Sequence, residues 1–174
     1  MSWVWARDIH ESCFYVKIII MITIEEITDK KQKSEITNRI LRSLPDWFEI
    51  EDGILEYVKR TQDMPFFATK NDGEIIRFIV IEDLNEWASE VYVMGVFPEH
   101  RGHGAGKKMI DFVWRRNQKM NKKYLIVKTL DESSGDKFYD ETRKFYKSVG
   151  FLPLFATTDI WGKDNPCLFM IKSE

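Results

Sequence analysis

At 174 residues, 44% of them hydrophobic and 31% charged, the chain can bury one sizeable core, and a second domain is not expected. A formal charge of −2 and an isoelectric point near 6.0 exclude any global attraction for nucleic acid. Two cysteines, Cys13 and Cys167, lie far apart and fit neither a disulfide framework nor a paired metal spacing, which points to a reducing, cytoplasmic setting.

The first twenty residues carry Trp3, Trp5 and the start of an apolar run, Ile18 to Ile22, that Lys17 precedes. That run falls far short of the roughly 20 apolar residues that span a bilayer, so no membrane partner is expected. Met21-Ile22-Thr23-Ile24-Glu25 reads as a natural start entering a strand. Residues 1–20 are therefore expected to be an upstream extension left by a mis-assigned start, and residues 21–174 the domain itself.

Strand character runs from Ile22 to Ile27, and helical spacing of Ile36, Ile40, Leu41 and Leu44 follows over Lys30 to Leu44, ended by Pro45. A shorter helix is expected over Gly53 to Arg60. Phe66 to Thr69 and Ile75 to Glu82 form a hairpin around the turn signal Asn71-Asp72-Gly73. Glu90 to Phe97 is the next strand. Met109, Ile110, Val113, Asn117 and Met120 recur at helical spacing, Tyr124 to Thr129 is β-rich, and Phe138, Thr142, Phe145, Tyr146 and Val149 mark a last helix stopped by Gly150. Phe151 to Ala156 and Cys167 to Ile171 are the final strands. The order implies one α/β unit.

The strand ending Val96-Phe97-Pro98 runs into Arg101-Gly102-His103-Gly104-Ala105-Gly106-Lys107, where three glycines alternate at the head of a helix. Glycines admit close backbone approach, and a helix's free N–H groups and positive dipole end attract anions, so the expected ligand is a pyrophosphate. Two common phosphate motifs fail on spacing. Only three residues separate Gly102 from Gly106-Lys107, and Lys108 stands where a P-loop needs Ser or Thr. Lys107 occupies the third-glycine position of a dinucleotide fingerprint.

What remains, Arg101-x-x-Gly104-x-Gly106, resembles the acetyl-coenzyme A signature of the GNAT acetyltransferase superfamily. About 40 residues on, Phe145-Tyr146-Lys147-Ser148-Val149-Gly150-Phe151 looks like that superfamily's second landmark, a tyrosine-bearing helix ending at Gly-Phe. Lys128-Thr129-Leu130, Thr142-Arg143-x-Phe145-Tyr146, Trp161-Gly162-x-x-Asn165-Pro166-Cys167-Leu168 and Leu44-Pro45-Asp46-Trp47-Phe48 look like a bacterial subgroup of undefined substrate. The resemblance covers roughly residues 22 to 172. It implies a GNAT fold of α/β (α+β) class: one mixed, mostly antiparallel sheet of six to seven strands with about four helices on both faces.

It also implies acetyl-CoA as co-substrate and acetyl transfer to a primary amine. The backbone of Met94, Gly95 and Val96, on a strand splayed from its neighbour, would hold the pantetheine arm and thioester, with Val96 the expected N–H donor to the oxyanion. Backbone amides of Arg101, Gly102, His103, Gly104, Ala105, Gly106 and Lys107 would hold the pyrophosphate, Lys107 or Lys108 adding charge. Tyr146 matches the general acid that protonates the departing thiolate. Trp47 and Trp161 are candidate acceptor-pocket walls.

From the residues themselves, Glu90 is the chosen general base, because period-two alternation would put Glu90, Tyr92, Met94 and Val96 on one side; Asp83, Glu86 and Glu99 are its rivals. Cys167 reads as a packed strand residue, so direct transfer is expected rather than an acetyl-cysteine. His100 and His103 lack a third ligand, and no metal is expected.

Three positions depart from the family pattern. Tyr139 and Thr142 stand where relatives carry asparagine and alanine, and Arg77 where they place glycine, which puts the asparagine contact to coenzyme in doubt and bears on acceptor preference. The expected partner is a small-molecule or peptide amine, without nucleic acid or membrane, and a homodimer stays open. The alternative is a non-catalytic acyl-CoA sensor or interaction module.

Overall fold

The computed structural model describes residues 23–71, 73–101 and 104–173. The proposed extension 1–20, Gly102 and His103 lie outside them. Along the chain run β1 (Thr23–Glu26), α1 (Lys30–Arg42), α2 (Glu51–Arg60), β2 (Phe66–Asn71), β3 (Glu74–Asp83), β4 (Ala88–Val96), α3 (Ala105–Lys119), β5 (Tyr124–Leu130), α4 (Lys137–Ser148), β6 (Leu152–Thr157) and β7 (Cys167–Lys172). The strands form one seven-stranded sheet in the order β1-β2-β3-β4-β5-β7-β6, antiparallel throughout except for the parallel pair β4 and β5.

Local chemistry sets the helix ends. The Asp29 carboxylate accepts the Gln32 N–H at 2.7 Å to cap α1, and the Asp136 carboxylate accepts from Phe138 and Tyr139 to cap α4. Gly150, at φ +94°, reverses the chain after α4, and the Phe151 amide returns to the Tyr146 carbonyl at 3.0 Å.

Apolar stripes then cover the two faces. Ile36, Ile40, Leu41, Leu44 and Ile54 from α1, the residues just after it and α2 pack on Phe66, Ala68, Phe78, Val80 and Val93. Met109, Ile110, Val113, Tyr146 and Val149 from α3 and α4 and the turn after α4 pack on Phe67, Ile79, Ile81, Val91, Leu125, Val127 and Met170.

Two departures from regular sheet geometry position the site. β4 carries a bulge: Ile81 pairs with Val91 but Val80 with Val93, leaving Tyr92 as the extra residue. Val91 and Met94, three apart, therefore both face α3 and α4, whereas Tyr92 turns toward α2. The strict alternation expected from the sequence fails here. Glu90 and Tyr92 lie on the α1/α2 face, and Met94 and Val96 on the other. The second departure is a split. β4 and β5 pair only over Ala88–Val91 and Tyr124–Val127; beyond that point β4 continues with β3 alone and β5 with β7 alone.

Candidate active site

Because β1 through β4 alternate in direction and β4 and β5 run together, one end of the sheet collects the α1–α2 loop, the β4–α3 loop, the head of α4 and the β6–β7 loop. The split between β4 and β5 opens toward that end. On its β4 side, backbone groups at Met94 and Val96 that would bond a neighbouring strand face a gap instead, whereas Gly95, two residues before Phe97, whose N–H bonds the Ile76 carbonyl at 3.1 Å, turns its own groups to β3. Gly95 is there for another reason. A Cβ on it would lie 2.7 Å from Ile40 Cγ2 and 3.0 Å from Phe78 Cε1, so its absence lets α1 press against the sheet directly behind the cleft wall.

The glycine loop delivers an open helix head. Gly104, at φ +68°, is the N-cap of α3; it offers no side-chain cap, and the first turn contains no acidic residue. The first intrahelical bond runs from the Lys108 N–H to the Gly104 carbonyl at 3.2 Å, which leaves the amides of Ala105, Gly106 and Lys107 ahead of the ladder. Nothing lies within 4 Å of the Cβ position of Gly104, whereas a Cβ on Gly106 would lie 2.8 Å from Phe145 Cζ, so the first glycine keeps the approach clear and the second lets α3 close on α4. The Arg101 amide bonds the Pro98 carbonyl at 3.2 Å and so is not among these open amides. Uncapped amides, a cleared approach and flanking Lys107 and Lys108 fit a pyrophosphate.

At the vertex of the split sits an ion pair. Lys128, the first β5 residue beyond the shared ladder, places Nζ 3.0 Å from Glu90 Oε1. Glu90 is only 4% exposed; burial raises its pKa above the usual carboxylate range, and the hydrogen bond from Lys128 opposes that rise. Tyr92 meets Tyr57 of α2 with the rings tilted by 60° and lies beneath the Arg60 guanidinium, and burial lifts its pKa to about 12. Cys167 is fully buried, with its thiol pushed up to about 11 by burial, which makes it a poor nucleophile near neutrality. Of the rival carboxylates, Asp83 is taken by Arg116 at 2.7 Å, while Glu86 and Glu99 are exposed.

Tyr146 lies on the sheet-facing side of α4 between Phe145 and Phe151 and is 6% exposed. Burial raises its pKa far above the ordinary phenol value, so the ring stays protonated throughout the neutral range. Its hydroxyl has no hydrogen-bond partner among the described residues. Arg143, a turn earlier, donates to the Leu130 carbonyl at 2.5 Å and so fixes α4 to the end of β5.

Trp47 belongs to a strap. From the α1–α2 loop its Nε1 donates to Thr142 Oγ1 at 3.0 Å, its carbonyl accepts the Tyr139 hydroxyl at 3.2 Å, its ring meets Phe138 edge-on, and Arg101 stacks over it at 4.4 Å. The two residues that depart from the family pattern on α4 are those that hold it. Trp161 is exposed in the β6–β7 loop at the same end and does not join this cluster. Sequence reasoning missed Lys128, Tyr57 and Arg60; a lysine two places after Ile126 in a β-rich strand was the available signal for the first. A separate depression of about 480 Å³, lined by Arg60, Met64, Pro65, Ile81 and Glu82 among others, lies at the opposite end of the sheet. No group of three or more potential metal ligands occurs among the described residues.

The family model described as an acetyltransferase (GNAT) domain matches residues 62–153, more than half of the chain. A protein from Desulfovibrio desulfuricans assigned to the GNAT acetyltransferases superposes with a TM-score of 0.73 at 16% identity, covering 87% of this chain and 98% of that one. A GNAT family acetyltransferase from Elizabethkingia anophelis, solved with acetyl-CoA bound, gives 0.66 at 17% identity over 88% and 98%. The aminoglycoside 6′-N-acetyltransferase from Enterococcus faecium gives 0.67 at 14% identity over 87% and 96%. No curated protein matches in sequence. The split sheet, the open helix head and the family match agree, and the chain belongs to the GNAT acetyltransferase family.

Proposed function

We propose that the protein is an acetyl-CoA-dependent N-acetyltransferase that passes the acetyl group directly to a primary amine of a small molecule or peptide. The observation that carries this reading is the parting of β4 from β5 beside the uncapped, glycine-led head of α3. Bound acetyl-CoA would supply an activated thioester. The amides of Ala105, Gly106 and Lys107 would hold its pyrophosphate, and the β4 backbone across Met94, Gly95 and Val96 would hold its pantetheine arm through the groups of Met94 and Val96 that face the gap. Arg101, Gly102, His103 and Gly104 would shape the turn around them.

Glu90 is the base in this reading. It lies six residues from Val96, about 20 Å along an extended strand, and four from Met94, about 13 Å. Amides nearer the vertex are thus better oxyanion donors than Val96, and a proton from the amine reaches Glu90 through ordered water. Tyr146, protonated and without a hydrogen-bond partner among the described residues, donates a hydrogen bond to the sulfur as the carbon–sulfur bond breaks. A phenol with so raised a pKa is a weaker acid than a thiol near 8.5, so hydrogen bonding rather than complete proton transfer accounts for its contribution. Trp47 and Trp161 would border the acceptor.

Titration calorimetry with acetyl-CoA and CoA, followed by thiol release across an amine panel, tests the reading; absence of saturable binding for either coenzyme form defeats it. Binding without release for any amine would favour the sensor alternative, which the engagement of Tyr139 and Thr142 with Trp47 supports. The same reading includes a cytoplasmic setting, an amine rather than nucleic-acid partner, and a homodimer through the β6 edge, where Leu152, Leu154 and Phe155 are exposed. No helix among the described residues is long and apolar enough to cross a membrane.

A further inference from the structure

Arg77 is only 2% exposed, yet its Nε has no hydrogen-bond partner and no carboxylate among the described residues forms an ion pair with it. Burial alone shifts its pKa, downward, with no opposing charge. A guanidinium cannot readily shed its proton, so a lone buried one is strongly unfavourable unless an anion arrives. Beside it on β2, its cross-strand neighbour Thr69 also holds a buried, unpartnered Oγ1, and Val96 flanks it on β4.

Register fixes where this cluster lies. Ile79 and Ile81, two and four residues on from Arg77, pack beneath α3, so period-two alternation turns Arg77 toward the same helix. Phe112 of α3 packs edge-on against Phe67 at 5.0 Å, and Phe67 pairs with Ile79. The row Thr69, Arg77, Val96 lies two residues further toward the cleft end, about 6.8 Å, which on a helix equals between four and five residues. Counting back from Phe112 reaches Lys107 and Lys108, the first turn, so the unpartnered cation sits under the uncapped amides.

We propose that Arg77, with Thr69 beside it, is a side-chain anchor for the coenzyme's pyrophosphate, reaching the phosphates from beneath the first turn of α3 while the backbone amides hold them from above. The inference rests on the acetyl-CoA reading and adds a buried counter-charge to a cradle otherwise made of main chain. It also explains why an arginine is tolerated in a strand interior: bound diphosphate neutralises it.

The test is calorimetric titration of the full chain and its Arg77→Met and Arg77→Lys variants with CoA and dephospho-CoA, together with thermal unfolding of the coenzyme-free proteins. Arg77→Met should weaken both ligands by about tenfold or more, the scale of one charge-assisted hydrogen bond, and Arg77→Lys should recover part of the loss. Coenzyme-free Arg77→Met should unfold at the same or higher temperature than the parent, since an unpaired buried charge is gone, whereas a merely structural arginine would lower it. Unchanged CoA affinity in Arg77→Met overturns the proposal, and a loss seen with CoA but not dephospho-CoA moves the contact to the 3′-phosphate and overturns it equally. Should the variants misfold, the arginine Nε–Hε NMR signals of the parent decide: one buried signal must shift on adding CoA, and none shifting rejects the anchor. A parent that binds no CoA at all defeats the transferase reading instead.

Discussion

In the proposed reaction Tyr146 and Glu90 carry the proton chemistry, and burial acts on each in a different way. Replacing Tyr146 by Phe keeps the ring that packs between Phe145 and Phe151 and removes only the hydroxyl, so stability should change little. The maximal rate should fall by about 10²-fold, the usual scale of a positioned acid, with acetyl-CoA affinity within about twofold; stopped-flow rates beside calorimetry separate the two. For Glu90→Gln the deficit depends on pH. Below the raised pKa of Glu90 the parent is already protonated, and above the amine's own pKa of about 10.4 no base is needed, so the ratio of parent to variant should peak between those limits. A flat ratio assigns the base elsewhere. Their places near the start of β4 and on α4 were legible because a strand mouth and a Gly-Phe helix end have sequence signatures. Lys128, Tyr57 and the partners of Trp47 were not, since their roles arise from contacts between residues tens of positions apart.

Among the elements, helix and strand extents could be read from Pro45, Gly150 and the apolar spacing, which are local effects. The β4 bulge could not, because an extra residue is defined only against the partner strand, and it reverses the side on which Met94 and Val96 stand relative to Glu90. Gly95 shows how tightly the elements are fitted behind the cleft. Gly95→Ala would drive a Cβ into Ile40 and Phe78, and should destabilise the fold by about 1–3 kcal/mol in urea unfolding, with acetyl-CoA binding weakened as α1 is pushed off β4. The Trp47 strap likewise joins the α1–α2 loop to α4 and, through Arg101, to the β4–α3 loop, so three segments distant in sequence share one indole.

For the molecule as a whole, the order of strands and the place where the sheet divides follow from the fold rather than from any local pattern; the resemblance to a known family supplied the mixed, mostly antiparallel sheet and the splayed strand before the glycine loop, and the strand order comes from the structure. Ligand linkage should expose the consequence. If the coenzyme binds only the folded chain, a hundredfold excess over Kd adds about 2.7 kcal/mol. For a chain of this length, that raises the unfolding midpoint by about 5–10 °C; a midpoint insensitive to CoA contradicts binding at the cleft.

Two blades of sheet, β1 to β4 and β5 to β7, meet along one four-residue seam, Ala88–Val91 against Tyr124–Val127. Past that seam each blade ends in a half-finished edge, and a polar arm threaded between them would serve as a keystone, lending bonds to both sides as a missing strand would. The architecture would then be completed by its own cargo. Each cycle of loading and discharge would stiffen and slacken the joint between the blades, so that turnover and rigidity rise and fall together.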